Sequence, residues 1–372
     1  MPRILYCAST VSHIVNFHIP YLQYFKQQGF KVDVVVGDSG DSVHLPFTDR
    51  VIALPIEKRQ ISISNFRAVY AVHQLLTEEH YDLITVHTTL AGAVVRLGVS
   101  LTRNRVFKVA YTSHGYFFSK KDAMWRKPYL YLERMLAPVT DLLLVMNDED
   151  LQIAKRYQLG KVVELIPGMG VDSRRFYENT GVDKGALKNQ AGYRERDFLI
   201  ACVAEMSARK NQGELIRAFA QVALKDPSVR LLLAGTGGMQ RYYMEVAVEN
   251  GVADRVSFLG HVRDVATLYQ TCDLVVSTSR SEGLPFNVME AMCSGVPVIA
   301  SKIKGHVDLL RHVQDACLYN LGDESDLAER LWKFRTQPQL RAYVVRENLR
   351  DVKPYCLADA QSHIIRAYST LI

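Results

Sequence analysis

The sequence predicts two α/β domains, each a doubly wound parallel sheet. Three observations point there. Short, near-continuously apolar runs alternate with amphipathic stretches, the punctuation of βαβ units. The alternation breaks once, over the polar, glycine-containing stretch 177–197 (YENTGVDKGALKNQAGYRERD), and then resumes. A chain of 372 residues also suits two domains of roughly 100–200 residues each. The expected division is 1–178 for the first domain and 190–352 for the second, with a terminal helix over 353–372.

The first half offers seven strands: RILYCAS, KVDVVVG, RVIALPI, DLITVHT, KVAYTSH, DLLLVMN and VVELIPG. Between the first two lies FHIPYLQYFKQQG, a helical stretch whose Gly29 suits a C-terminal cap. The second half offers FLIACVAEM, VRLLLAGTGG, RVSFLG, DLVVSTS, PVIAS and ACLYN, again with helices between. The closing CLADAQSHIIRAYSTLI has helical spacing and no strand after it.

Composition narrows the class. Hydrophobic residues make up 48% and charged residues 23%, a globular balance. No run approaches the roughly 20 apolar residues of a spanning helix, and MPRILYCAST lacks a signal-peptide core, so a cytosolic protein is expected. The six cysteines form no C-x-x-C pair and read as free thiols. A net charge of +6 attracts anions without saying which.

Ligands of open α/β sheets bind at the carboxyl ends of strands, so motifs there carry the most weight. RSEGLPFNVMEAMCSGVPVIAS (280–301) follows a strand. Pro285 suits a helix start and Gly295 its stop. Glu282 precedes the helix, and Glu290 lies roughly 7 Å along it. Amides at Gly283 and Leu284, with the helix N-terminus, form a seat for phosphate. Spacing alone leaves open a carboxylate on a helix dipole and a solvated glutamate. Lys210, in CVAEMSARKNQGELI, sits where it can offset diphosphate charge, or is merely part of a basic turn; Ser207 or Asn211 would cap the helix that follows. His114 in YTSHGYFF and the glycines of LLLAGTGGM are ordinary structural residues if taken alone.

The 280–301 segment closely resembles the E-x7-E signature of the retaining GT-B glycosyltransferases of family 4, including the EAM-small-x-Gly-x-Pro-Val-Ile-Ala run after it. YTSHGYFF, NDEDLQIAKR and IPGMGVDSRRF are similar to a bacterial capsule and exopolysaccharide branch of that family. The resemblance spans nearly the whole chain. It implies two Rossmann-like domains facing across a cleft, with the last helix crossing back to the first. It places Glu282 at the donor sugar, Glu290 on the ribose, and Gly283 and Leu284 at the phosphates, with Pro285 also at the nucleotide-sugar. It gives Lys210 to the diphosphate, and Gly235, Gly237, Val262 and Arg263 to the nucleotide. His114 would meet the donor sugar, with Gly115 after it on the acceptor or phosphate side. The family's arginine before the lysine is replaced here by Glu205; either Arg209 compensates or Glu205 orients Lys210. Adjacent glycines of many members are replaced by Ser12 and His13, which with Asn16 become acceptor- or phosphate-side residues.

The implied function is transfer of a hexosyl or N-acetylhexosaminyl group from a nucleotide-sugar, a UDP-sugar above all, to a glycan or polyprenyl-diphosphate-linked acceptor in bacterial surface polysaccharide synthesis. No cofactor is expected, because no D-x-D element stands at a strand end. Between Arg96 and Arg134 nine basic residues (Arg96, Arg103, Arg105, Lys108, Lys120, Lys121, Arg126, Lys127 and Arg134) face only Asp122 and Glu133, with Tyr116, Phe117, Phe118, Trp125, Tyr129 and Tyr131 interleaved. That stretch suits peripheral contact with the anionic inner face of the cytoplasmic membrane, or a solvated basic face over core aromatics. No motif for nucleic acid accompanies it. Two other readings fit the same residues: a UDP-sugar 2-epimerase of the same fold, and a non-catalytic nucleotide-sugar-binding protein.

Overall fold

The computed structural model describes residues 1–37, 44–57, 62–116, 118–119 and 127–372. It divides into two compact units, Met1–Gly170 with Ala358–Ile372, and Val171–Leu357. The expected boundary at 178 lies eight residues after Gly170, and the expected helix start at 353 lies five before Ala358.

The first unit holds β1 (Arg3–Cys7), β2 (Lys31–Val36), β3 (Arg50–Ala53), β4 (Leu83–His87), β5 (Lys108–Ser113), β6 (Leu142–Val145) and β7 (Val162–Leu165). Its helices are α1 (Val11–Phe17), α2 (Ile19–Gln27), α3 (Ile63–Glu78), α4 (Thr89–Leu101), α5 (Lys127–Leu136) and α6 (Asp148–Tyr157). All strand pairs are parallel, in the order β3-β2-β1-β4-β5-β6-β7. Burial explains why the strands were readable. β4 and β6 are buried at every position, whereas the edge strands β3 and β7 bury none of their residues fully. Layers on both faces cover the central strands.

The second unit holds α7 (Lys184–Gln190), β8 (Phe198–Val203), α8 (Gln212–Ala223), β9 (Val229–Ala234), α9 (Gln240–Glu249), β10 (Val256–Gly260), α10 (Val265–Thr271) and β11 (Leu274–Ser277). These are followed by α11 (Phe286–Cys293), β12 (Val298–Ser301), α12 (His306–Leu309), α13 (Gln314–Cys317), β13 (Leu318–Tyr319), α14 (Glu324–Thr336) and α15 (Pro338–Asp351). Its parallel sheet runs β10-β9-β8-β11-β12-β13. The chain then returns through α16 (Leu357–Ser369) to the first unit. There Tyr368 is buried, 2.9 Å from Thr85 Oγ1 and beside Phe25.

Three local expectations change. The helix read from FHIPYLQYFKQQG is α2, with Pro20 in its first turn, but a further helix, α1, precedes it and ends at Phe17. The polar connection contains α7, capped by Asp183, and its Lys188 is buried against Asp273 at 2.7 Å. Asn211 does precede α8, but at φ +56 its side chain makes no cap bond and instead donates to the Glu214 carboxylate.

Each sheet reverses its winding once, between β1 and β4 in the first unit and between β8 and β11 in the second. Such reversals open a crevice outside the strand ends.

Candidate active site

At the reversal in the second unit, two strand-end loops are laced together. Thr278 Oγ1 donates to Lys210 O at 2.9 Å, Arg280 N to Arg209 O at 2.8 Å, and an Arg280 Nη to Asn211 Oδ1 at 2.9 Å. The turn after β9 packs on the same loop. A Cβ on Gly235 would lie 2.0 Å from Ala204 O, and one on Gly237 2.3 Å from Met206 O. Only glycine allows that approach, so both glycines shape the loop that carries Lys210. From the other side, Gly305 (φ +79) packs on Gly283, where a Cβ would stand 2.5 Å from the carbonyl oxygen.

The lacing brings Lys210 Nζ to 2.6 Å from Glu282 Oε1, and Arg209 Nη1 to 2.8 Å from the same oxygen. Burial alone would raise the Glu282 carboxyl, but Lys210 and Arg209 outweigh it and hold the group below its ordinary range. Glu282 is therefore a carboxylate at neutral pH. Glu205 is exposed, and its carbonyl accepts from Gln212 Nε2 at 2.9 Å. The carboxylate that orients Lys210 is thus Glu282, not Glu205, and the arginine beside it is Arg209.

Glu290 behaves oppositely. It lies in α11, which begins at Phe286 with Pro285 as its N-cap, one residue later than expected. Burial raises its carboxyl to about 7, with the Tyr269 hydroxyl and Arg175 only partly offsetting. Tyr269 Oη stands 3.3 Å from Glu290 Oε2 and 3.1 Å from Asn287 O. Leu284 is buried, Val262 is half-buried, and Arg263 is exposed with its carbonyl accepting from Arg175 at 3.1 Å. Arg209 also borders a cavity of about 460 Å³ that includes Asn211, Arg217, Tyr242 and Arg280.

Sequence reasoning missed His306. It is fully buried, with Nε2 3.1 Å from Ser277 Oγ and Nδ1 2.8 Å from Ser301 O. Burial lowers it to about 4, so it ties β11 to β12 as a neutral ring.

In the first unit, His13 and His114 meet at the corresponding reversal, with ring centroids 4.6 Å apart. His18 and His87 join them; their centroids are 4.2 Å apart. Burial lowers all four imidazoles, His13 to about 4. Ser12 and Asn16 sit exposed on α1, and Gly115 has a φ of +115.

The basic stretch needs correcting. Arg96 is fully buried, its guanidinium 2.9 Å from Glu133 and 3.7 Å above the Tyr111 ring. Arg105 pairs with Asp141 at 2.9 Å. Tyr116 and Phe118 stack inside the core. Phe117, Lys120, Lys121, Asp122, Trp125 and Arg126 lie outside the described residues. What stands exposed on α5 is Lys127, Tyr131, Arg134 and Met135. A second exposed apolar set stands on α3: Ile63, Phe66 and Tyr70, with Arg67 between them.

Residues 3–147 match the Glycosyl transferase 4-like family and residues 183–350 match Glycosyl transferases group 1. A Bacillus subtilis protein named as glycosyltransferase EpsD is 33% identical over 91% of this chain and 88% of its own. The chain belongs to the group 1 glycosyltransferases. This glycosyltransferase is also 25% identical to the Escherichia coli UDP-Gal:alpha-D-GlcNAc-diphosphoundecaprenol alpha-1,3-galactosyltransferase, over 84% of this chain and 82% of the other. The crystal structure of HepE from Anabaena, in complex with UDP and glucose, shares the fold at a TM-score of 0.78 and 21% identity, covering 99% of this chain and all of the other. Two parallel-sheet Rossmann-like domains are thus the GT-B architecture that the sequence predicts.

Proposed function

We propose that this glycosyltransferase is a retaining enzyme that moves a sugar from a UDP-sugar to a lipid-linked glycan in bacterial surface polysaccharide synthesis. The observation that carries the reading is the Lys210–Glu282–Arg209 group at the winding reversal of the second sheet. Lys210 uses one ammonium proton on Glu282 and has two more to give. As the bond from the anomeric carbon to the diphosphate breaks, negative charge builds on the leaving oxygen. Lys210 and Arg209 stabilise it in place, with little reorganisation. The acceptor oxygen bonds to the same face of the anomeric carbon, and its proton passes to the departing diphosphate, so no protein nucleophile is needed. Glu282 holds the donor sugar and Glu290 accepts from the ribose hydroxyls. UDP in the HepE complex supports the choice of base, and the diphosphoundecaprenol acceptor named for the Escherichia coli relative supports the acceptor class.

Peripheral membrane contact then falls to the exposed face of α5 and to Ile63, Phe66, Arg67 and Tyr70 of α3. Large apolar side chains beside cations suit an anionic interface. Vesicles containing anionic lipid should retain the protein at low salt and release it at high salt; failure to bind at low salt removes this part.

The donor test is thermal shift with UDP, GDP and ADP, followed by NMR of the matching nucleotide-sugar with and without acceptor. Stabilisation by UDP and a product with the donor's anomeric configuration are expected. Preference for another nucleotide overturns the UDP assignment, inverted product overturns retention, and turnover to a 2-epimer without acceptor overturns transfer.

A further inference from the structure

The cavity that Arg209 borders lies beside the donor group rather than in it. It sits where the starts of α8 and α9 meet the loop after β8, and holds about 460 Å³. Three guanidiniums from separate elements line it: Arg209 from that loop, Arg217 from α8 and Arg280 from the loop after β11. Among the described residues, no acidic side chain joins them in the lining. Of the residues placed at the nucleotide-sugar, Arg209 alone is shared. We propose that this cavity binds a diphosphate group other than the donor's, free or carried as an ester.

The charges call for an anion of that kind. Glu282 holds Arg209 at 2.8 Å and Glu324 holds Arg217 at 2.5 Å, but both carboxylates stand outside the lining. Arg280 forms no ion pair among the described residues; one Nη donates to Asn211 Oδ1 at 2.9 Å. A guanidinium carries five N–H donors, so none of the three is exhausted by these bonds. Planar forks of this type pair bidentately with phosphate oxygens. A diphosphate can span several forks at once and brings more charge than a single phosphate. The volume lies within the roughly 300–1,000 Å³ of ligand pockets.

The start of α8 adds to the field. Gly213, its second residue, lines the cavity and sets no side chain before the first amides, which have no partner within a helix. The lining also includes Met239, Tyr242 and Tyr243. Tyr243 is fixed, its hydroxyl donating to Ser207 O at 2.8 Å, while Tyr242 is 46% exposed. Cations beside aromatic and apolar surface suit a diphosphate with an organic group attached as well as free pyrophosphate. Arg209 reaches both the cavity and Glu282, so filling one draws on the charge of the other. No contact with UDP enters the inference, so it fails separately from the choice of donor.

The experiment is calorimetric titration of the full chain with inorganic pyrophosphate at fixed low salt. One equivalent that survives Lys210→Ala, a change at the donor group, is expected. Arg217→Gln should weaken it at least about tenfold. Gly213→Ala should weaken it too: the added Cβ stands 3.3 Å from Arg217 Nη1, where only a flexible tip must move. Arg241→Gln removes the same charge from an exposed neighbour outside the lining and should change nothing. A short-chain prenyl diphosphate, titrated at the same salt, separates the two sources. Tighter binding than pyrophosphate assigns the cavity to an ester, and weaker binding assigns it to free diphosphate. Cooperative urea unfolding like that of the wild type confirms that each variant is folded. Binding of neither ligand, or binding lost in Lys210→Ala, overturns the site. So does wild-type affinity in both Arg217→Gln and Gly213→Ala, or an equal loss in Arg241→Gln. Inorganic phosphate that binds as tightly as pyrophosphate overturns the diphosphate class.

Discussion

The two sheets reverse their winding at equivalent places, and each gathers ionisable side chains there, but of opposite kinds. In the second unit the groups arrive already paired: Lys210 and Arg209 share one oxygen of Glu282. In the first unit they arrive neutral and unsatisfied, with four imidazole nitrogens (His13 Nε2, His18 Nε2, His87 Nδ1 and His114 Nε2) lacking partners among the described residues. The fold sets where a ligand can sit, and the side chains decide which one. A paired site can exchange its internal partner for a ligand's charge. An unpaired one requires the ligand to supply what is missing.

The sharpest way to break the comparison is Lys210→Ala. Losing a preorganised charge-stabilising donor should lower kcat by about 10²–10³-fold, read by donor hydrolysis or transfer. Wild-type turnover would mean that the pair is structural. Next is Glu290, a buried carboxyl that accepts from the Tyr269 hydroxyl. Its ordinary value is 4.5 and burial raises it to about 7. Between those values the folded protein keeps a proton that the unfolded chain has lost, so stability falls as pH rises through that window. Glu290→Gln should remove up to about 3 kcal/mol of that slope, read by urea unfolding at pH 5 and pH 8. Arg209→Ala should cost less than Lys210→Ala, about tenfold in kcat, because the arginine is 48% exposed and solvent screens it. The smallest change is Tyr269→Phe, which removes a buried hydroxyl from Glu290 and Asn287. It should cost about 1 kcal/mol in unfolding free energy and push the Glu290 carboxyl higher still.

Much of this was legible in the chain. Buried parallel strands are continuous apolar runs, so β1 to β13 could be read off directly. The E-x7-E segment is contiguous, so its two glutamates were visible together. What the chain hides is partnership across distance. Lys210 and Glu282 are 72 positions apart. Arg96 looked like surface charge because Glu133, 37 positions on, belongs to another helix. The histidines at 13, 18, 87 and 114 are scattered along the chain, because α1, the α1–α2 turn and the ends of β4 and β5 deliver them. The stretch of α3 drew no reading in sequence, yet it holds Phe66 68% exposed.

The return of α16 has a consequence for synthesis. All seven strands of the first unit have left the ribosome once Leu165 emerges, but Ala360, Ile364, Ala367 and Tyr368 follow only after the entire second unit. Until then Thr85 and Phe25 lack their cover, and the nascent chain shows an apolar seam for as long as nearly 200 residues take to translate. Domains ordinarily fold in the order they are made. Here the continuous second unit can complete itself first, and the first unit, begun earliest, is sealed last.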